Sequence, residues 1–225
     1  MKAQGFTDYR ISYDIAGQSD FIFPSEIGEI TNSKYNEEAL EHLLKTLPQK
    51  EDFGWYKEND YIFIPGPPEI FSMEKIVSIQ PGLFYFDGER KKQICFQYSL
   101  GTKWIIIKKS VLINEIYHRI LSDIHAKIEK KENISYSFPN PAELAWAMLI
   151  YKMSRKKLLL EGYKILSNAG DGFDSPLSRR FPIMFEWNEG KINIYKLGAM
   201  SFYIDGIVLI DSKPLIPIPE PDLPF

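Results

Sequence analysis

The segment Asn168–Pro182 gathers Asp171, Asp174, Ser175, Ser178, Arg179 and Arg180 around Gly170 and Gly172, a mixture that can bind charge and does not suit regular structure. Asn168, Asp171 and Asp174 offer side-chain oxygens of the kind that ligate hard divalent cations. The spacing departs from the helix–loop–helix calcium loop, whose twelfth position needs Glu where this chain has Arg179. Arg179 and Arg180, with Ser178 beside them, can instead grip a phosphate or carboxylate while the glycines let backbone approach closely. A third reading needs no ligand: a helix C-cap at Gly170, then an Asx-type turn in which the arginines pair with Asp171 and Asp174. The sequence favours this last reading, and no metal or cofactor is expected.

A second group is basic. Lys91, Lys92, Lys103, Lys108 and Lys109 surround Phe96, Tyr98 and Trp104, a combination that suits stacked bases and phosphates. No RNP-like run accompanies it, and alternating aromatics more often form a core face. His118 and His125 stand seven apart on an expected helix, ~10.5 Å along its axis, too far to share a metal. With only three histidines and the lone Cys95, no Cys/His zinc set closes. Glu189-Gly190-Lys191 has a spacing seen in carboxylate nucleases but sits where a hairpin turn is expected. Finally, residues 214–225 carry five prolines in twelve, which forbids helix; Ile216, Ile218, Leu223 and Phe225 are the apolar contacts this tail can make with a partner or with the chain itself.

These groups must be positioned by elements that hydrophobic periodicity reveals. Alternation predicts strands over 9–15 and 21–23, Asn36 caps a helix over 37–47, and Tyr61–Ile64 reads as a strand entering the Pro65-Gly66-Pro67-Pro68 loop. Residues 76–108 read as a three-stranded meander: Leu83–Phe86, a turn at Asp87-Gly88, Ile94–Leu100, then Trp104–Ile107. An amphipathic helix is expected over 111–131 and a connector over 131–139. Asn140-Pro141-Ala142-Glu143 has the form of a capping box, opening a helix that runs toward Ala169 with a break near Ser154. A second meander follows, from the hairpin 183–197 to strands joined at Asp205-Gly206.

The fold class expected is therefore α+β, with antiparallel β meanders at both ends flanking a helical middle. Residues 1–132 form a β-rich region, an antiparallel sheet or small barrel closed by the 111–131 helix. Residues 140–212 form a helix plus meander and 213–225 an extended tail, and one compact domain overall is the alternative. At 225 residues, with 44% hydrophobic and 25% charged, the chain can bury a sizeable core, which argues against a disordered body. Net charge is −3, yet residues 1–60 hold 6 Lys and Arg against 12 Asp and Glu while 150–182 hold 7 against 3, a field too modest to imply a polyanion. No apolar run approaches a membrane span, the N-terminal octet has no signal-like core, and a single cysteine fits a reducing compartment, so a cytoplasmic location without membrane contact is expected.

No catalytic fingerprint is complete. The preferred function is a non-catalytic binding or assembly subunit acting through protein–protein contacts or self-association, using a sheet face, the 170–182 loop or the tail. A phosphate-ester or nucleic-acid-processing enzyme centred on 168–182 is the second reading, and a nucleic-acid binder using the Lys-rich meander the third.

Overall fold

A computed structural model of the chain describes residues 14, 17, 20–48, 52–86, 98–110, 136–137, 139–167, 183–196, 206–207 and 210–211. Among them it is mixed α and β, as expected, but strand partners differ from the simple meanders. Helices α1 (Pro24–Thr31), α2 (Glu37–Lys45) and α3 (Asp52–Glu58) precede strands β1 (Tyr61–Pro65) and β2 (Phe71–Ser72), helix α4 (Met73–Ile79), and strands β3 (Phe84–Phe86), β4 (Ser99–Leu100), β5 (Trp104–Lys108) and β6 (Tyr136–Ser137). Helix α5 (Pro141–Arg155) leads to β7 (Lys164–Ser167), β8 (Ile183–Asn188), β9 (Lys191–Lys196), β10 (Gly206–Ile207) and β11 (Ile210–Asp211). The sheets have the orders β1-β5-β11-β6, β10-β7-β8-β9-β3 and β2-β4, and none closes on itself among the described residues.

Helix α5 organises the interior. Asn140 Oδ1 accepts from the amides of Ala142 (2.8 Å) and Glu143 (3.0 Å), and Glu143 Oε2 accepts from the Asn140 amide (2.7 Å), so the capping box read from sequence is formed. Every residue from Pro141 to Tyr151 is buried. A helix apolar all round needs cover on several sides, and it has it. Its side chains share one cluster with Ile27 of α1, Met73 and Ile76 of α4, Ile62, Ile64, Ile105 and Ile107 of the four-stranded sheet, and Ile183, Phe185, Ile192 and Ile194 of the five-stranded sheet. That cluster takes in residues on both sides of the connector expected at 131–139. The helix ends earlier than its composition suggested: Lys156 adopts φ 55 and donates to the Lys152 carbonyl, and Leu160 and Gly162 also take positive φ as the chain turns into β7. Residues 164–167 are strand, paired with β8, rather than the end of a helix.

The apolar runs of β1 and β5 have a specific cause. Ile62, Ile64, Ile105 and Ile107 face α5, whereas Phe63, Trp104 and Ile106 join Phe21, Leu43, Phe53 and Tyr56 in a second cluster on the opposite face. Both faces are therefore buried, and alternation disappears. Phe21 bridges Phe63 in parallel, and Pro24 opens α1 instead of only ending a strand. Asn36 caps α2 as expected, Oδ1 accepting from the Ala39 amide at 2.7 Å.

Four local expectations change. Of the strand expected over 9–15 only Asp14 is described, and it is helical. Residues 76–79 lie in α4, whose N-cap is Ser72, not in a strand. The strands of the expected first meander enter three different sheets: β3 pairs in parallel with β9, β4 with β2, and β5 with β1 and β11. The hairpin β8–β9 forms as read, turning at Glu189 (φ 50) and Gly190 (φ 75), but β10 pairs in parallel with β7 while β11 joins the other sheet. The Asp87-Gly88 turn and the 111–131 helix lie outside the described residues.

Candidate binding surface

Asp171, Asp174, Ser178, Arg179 and Arg180 lie outside the described residues, but the two ends of their segment are fixed. Ser167 and Ile183 are paired neighbours on antiparallel strands, and the buried Ser167 hydroxyl donates to the Ile183 carbonyl at 3.0 Å. The segment thus connects two adjacent strands; the helix C-cap expected at Gly170 loses its helix.

Lys91 and Lys92 also lie outside the described residues, as do Ile216, Ile218, Leu223 and Phe225. The remaining lysines are not brought together. Lys103 and Lys109 flank β5 at opposite ends, about 20 Å apart at ~3.4 Å per residue. The Lys103 ammonium is paired with the Glu143 carboxylate. That of Lys109 sits between Asp20 (3.0 Å) and Asp60 (2.8 Å). Lys108 Nζ lies 6.0 Å from the Tyr61 ring centroid. Trp104 is buried and donates from Nε1 to the Leu43 carbonyl at 2.7 Å, so its ring is core and not a stacking platform.

Lys109 belongs to a wider charged network at the C-terminal end of α5. Arg155 donates to both Glu26 carboxylate oxygens (2.5 and 3.2 Å) and to the Phe21 carbonyl (2.7 Å), while its buried Nε has no hydrogen-bond partner. Burial opposes the charge on Lys109, but hydrogen bonds and attraction from Asp60 and Asp20 outweigh it and leave its pKa above the ordinary lysine value. Burial raises the Tyr151 phenol, with Lys109 and Arg155 opposing and Asp20 and Asp60 adding. The network fastens residues 20–26 and the β1–β5 edge to α5. Its groups are spent on one another. Among the described residues no set of three His, Cys, Asp or Glu could hold a metal ion.

What sequence reasoning passed over is the tip of the Pro65-Gly66-Pro67-Pro68-Glu69-Ile70 loop. Ile70 is 75% exposed, yet Pro65 to Pro68 are buried and pinned. The Tyr35 hydroxyl donates to the Gly66 carbonyl, the Gly66 amide donates to the Lys103 carbonyl at 2.7 Å, and Thr102 Oγ1 donates to the Pro67 carbonyl at 2.8 Å. A Cβ on Gly66 would collide with the Gly101 carbonyl oxygen, so only glycine fits there. Beside the tip, Lys75 pairs with Glu69 at 2.7 Å and lies 3.7 Å from the Phe71 ring centroid, leaving a rim without net charge. A signal was present: Ile70 and Phe71 are adjacent apolar residues entering a strand, and a strand can bury only one of them on a given face.

The five-stranded sheet offers a second exposed feature. Tyr85 (58% exposed) is in register with Asn193, Asn193 with Glu186, and Glu186 with Lys164, a cross-strand row of mainly polar side chains. Together these features define an α+β protein with a fixed apolar tip and a polar sheet face. No protein-family model, curated protein or solved structure matches the chain.

Proposed function

We propose that this protein is a non-catalytic binding or assembly subunit that engages a protein partner through the 66–70 loop. The observation that carries this reading is the 75% exposure of Ile70 on a backbone held by three hydrogen bonds and three buried prolines. An isoleucine presented on an already ordered loop inserts into an apolar pocket with little conformational entropy left to lose. The Glu69–Lys75 pair on its rim suits a partner pocket without strong net charge. A cytoplasmic location, suggested by the single cysteine, is part of the same proposal.

The test is the native mass and co-purifying content of the protein from its own host, compared with Ile70→Asp. A defined assembly is expected, weakened at least tenfold by the substitution, about 1.4 kcal/mol, with thermal stability unchanged. A monomer without partner, or an assembly indifferent to Ile70→Asp, overturns the reading.

A second reading is favoured by the closed base of the 168–182 connection, far longer than the ~2–5 residues that usually join a hairpin; such long loops are commonly functional. On it, Arg179 and Arg180 bind a phosphate-bearing ligand, nucleic acid included, and the protein acts on that ligand or holds it. Phosphate or divalent-cation titration of the intact protein against Arg179→Ala/Arg180→Ala would show a loss of binding without unfolding.

A further inference from the structure

Strand β11 places the chain that follows it. Ile210 pairs with Ile107 and Asp211 with Ile106, antiparallel, so each later residue descends β5 toward Trp104. On the other side of β5, Trp104 pairs with Pro65, from which the 66–70 loop departs. Phe71 pairs with Leu100, which sets Ile70 beside Gly101, and Ile70 Cγ1 lies 3.7 Å from where a Gly101 Cβ would stand. From the level of Ile106 to that of Gly101 is about five residues, ~16 Å, and five residues of extended or polyproline chain cover it at ~3.1–3.4 Å each. Counted from Asp211, the residue that arrives beside Ile70 is Ile216, one strand spacing away, ~4.8 Å.

The intervening residues suit the path. Pro214 comes level with Lys103, whose carbonyl already accepts from the Gly66 amide, so a residue without an N–H leaves no donor stranded there. Residues 214–219, Pro-Leu-Ile-Pro-Ile-Pro, are uncharged and apolar, matching an apolar tip whose rim is neutralised. Three prolines pre-extend the segment, and a tether of five residues holds it at a millimolar or higher effective concentration.

We propose that residues 215–218 form a strap that closes over Ile70, with Ile216 as its contact, and so compete with the protein partner for the same tip. The contact follows from register alone; its gating role rests on the partner-binding reading above.

The test is thiol labelling of Ile70→Cys in a Cys95→Ser background, full chain, with and without Leu215→Asp/Ile216→Asp, circular dichroism confirming the fold. Labelling at least tenfold slower with the native strap is expected, the aspartates restoring the fast rate. Equal rates overturn the strap. Should Cys95→Ser not fold, amide exchange at Gly66, Glu69 and Ile70 in the otherwise unaltered chain replaces labelling: faster exchange in the double aspartate variant supports the strap, and identical exchange overturns it. Neither measurement involves a partner. Slow labelling together with an assembly indifferent to Ile70→Asp keeps the strap and removes the partner reading, and the converse removes only the strap.

Discussion

Arg155 shows how much one side chain can carry here. It is the last residue of α5, 12% exposed, and it joins Glu26 and the Phe21 carbonyl, some 130 residues away in sequence. Arg155→Met leaves a half-buried carboxylate and a carbonyl without their charged donor, and the expected loss is about 2–3 kcal/mol, read as a lower urea midpoint. Lys109 and Tyr151 make a pH prediction. Both have folded pKa values above their ordinary ones, so above about pH 10 the unfolded chain releases these protons while the folded chain keeps them. The stability that Lys109 adds is complete below the ordinary lysine pKa and is lost as pH rises through the raised one; Tyr151 acts in the same direction, because its folded form resists ionisation. Alkaline titration of the unfolding free energy should fall through this window, and less steeply in Tyr151→Phe. Neither residue announced this from sequence, since a lysine after an apolar strand reads as a solvated end.

At the scale of elements, what was legible is what short-range chemistry specifies. The capping box at Asn140, the Asn36 cap and the β8–β9 hairpin all depend on residues within a few positions of one another, and all formed. Asn140→Ala should cost about 1–2 kcal/mol, measured by chemical denaturation. The loop 65–70 was legible as a loop but not as a rigid one, because its anchors Tyr35, Thr102 and Lys103 are distant in sequence. Gly66→Ala tests that rigidity: the added methyl meets backbone, and a loss of about 1–3 kcal/mol is expected, with faster amide exchange at Glu69 and Ile70. Periodicity placed α4 in a strand and carried α5 past its end. Met73–Ile79 is only seven residues long, and the left-handed turn at Lys156 serves the return to the sheet.

For the whole molecule, α5 is the piece on which the others depend. Trp146 is fully buried and donates from Nε1 to the Pro65 carbonyl at 2.9 Å, so one side chain ties the central helix to the base of the exposed loop. Trp146→Ala should cost about 3–5 kcal/mol and, unlike Ile70→Asp, should lower the melting temperature. The sequence by itself determined the α+β class, the helix caps and the tight turn, because capping and turn chemistry are local. Only the tertiary structure decided that β3, β4 and β5 belong to three sheets, that Lys103 and Lys109 are paired far apart, and that Ile70 stands clear of a pinned loop. Those outcomes depend on which surfaces α5 covers, and a strand buried on both faces, like Trp104–Lys108, carries no alternation from which its partners could be read.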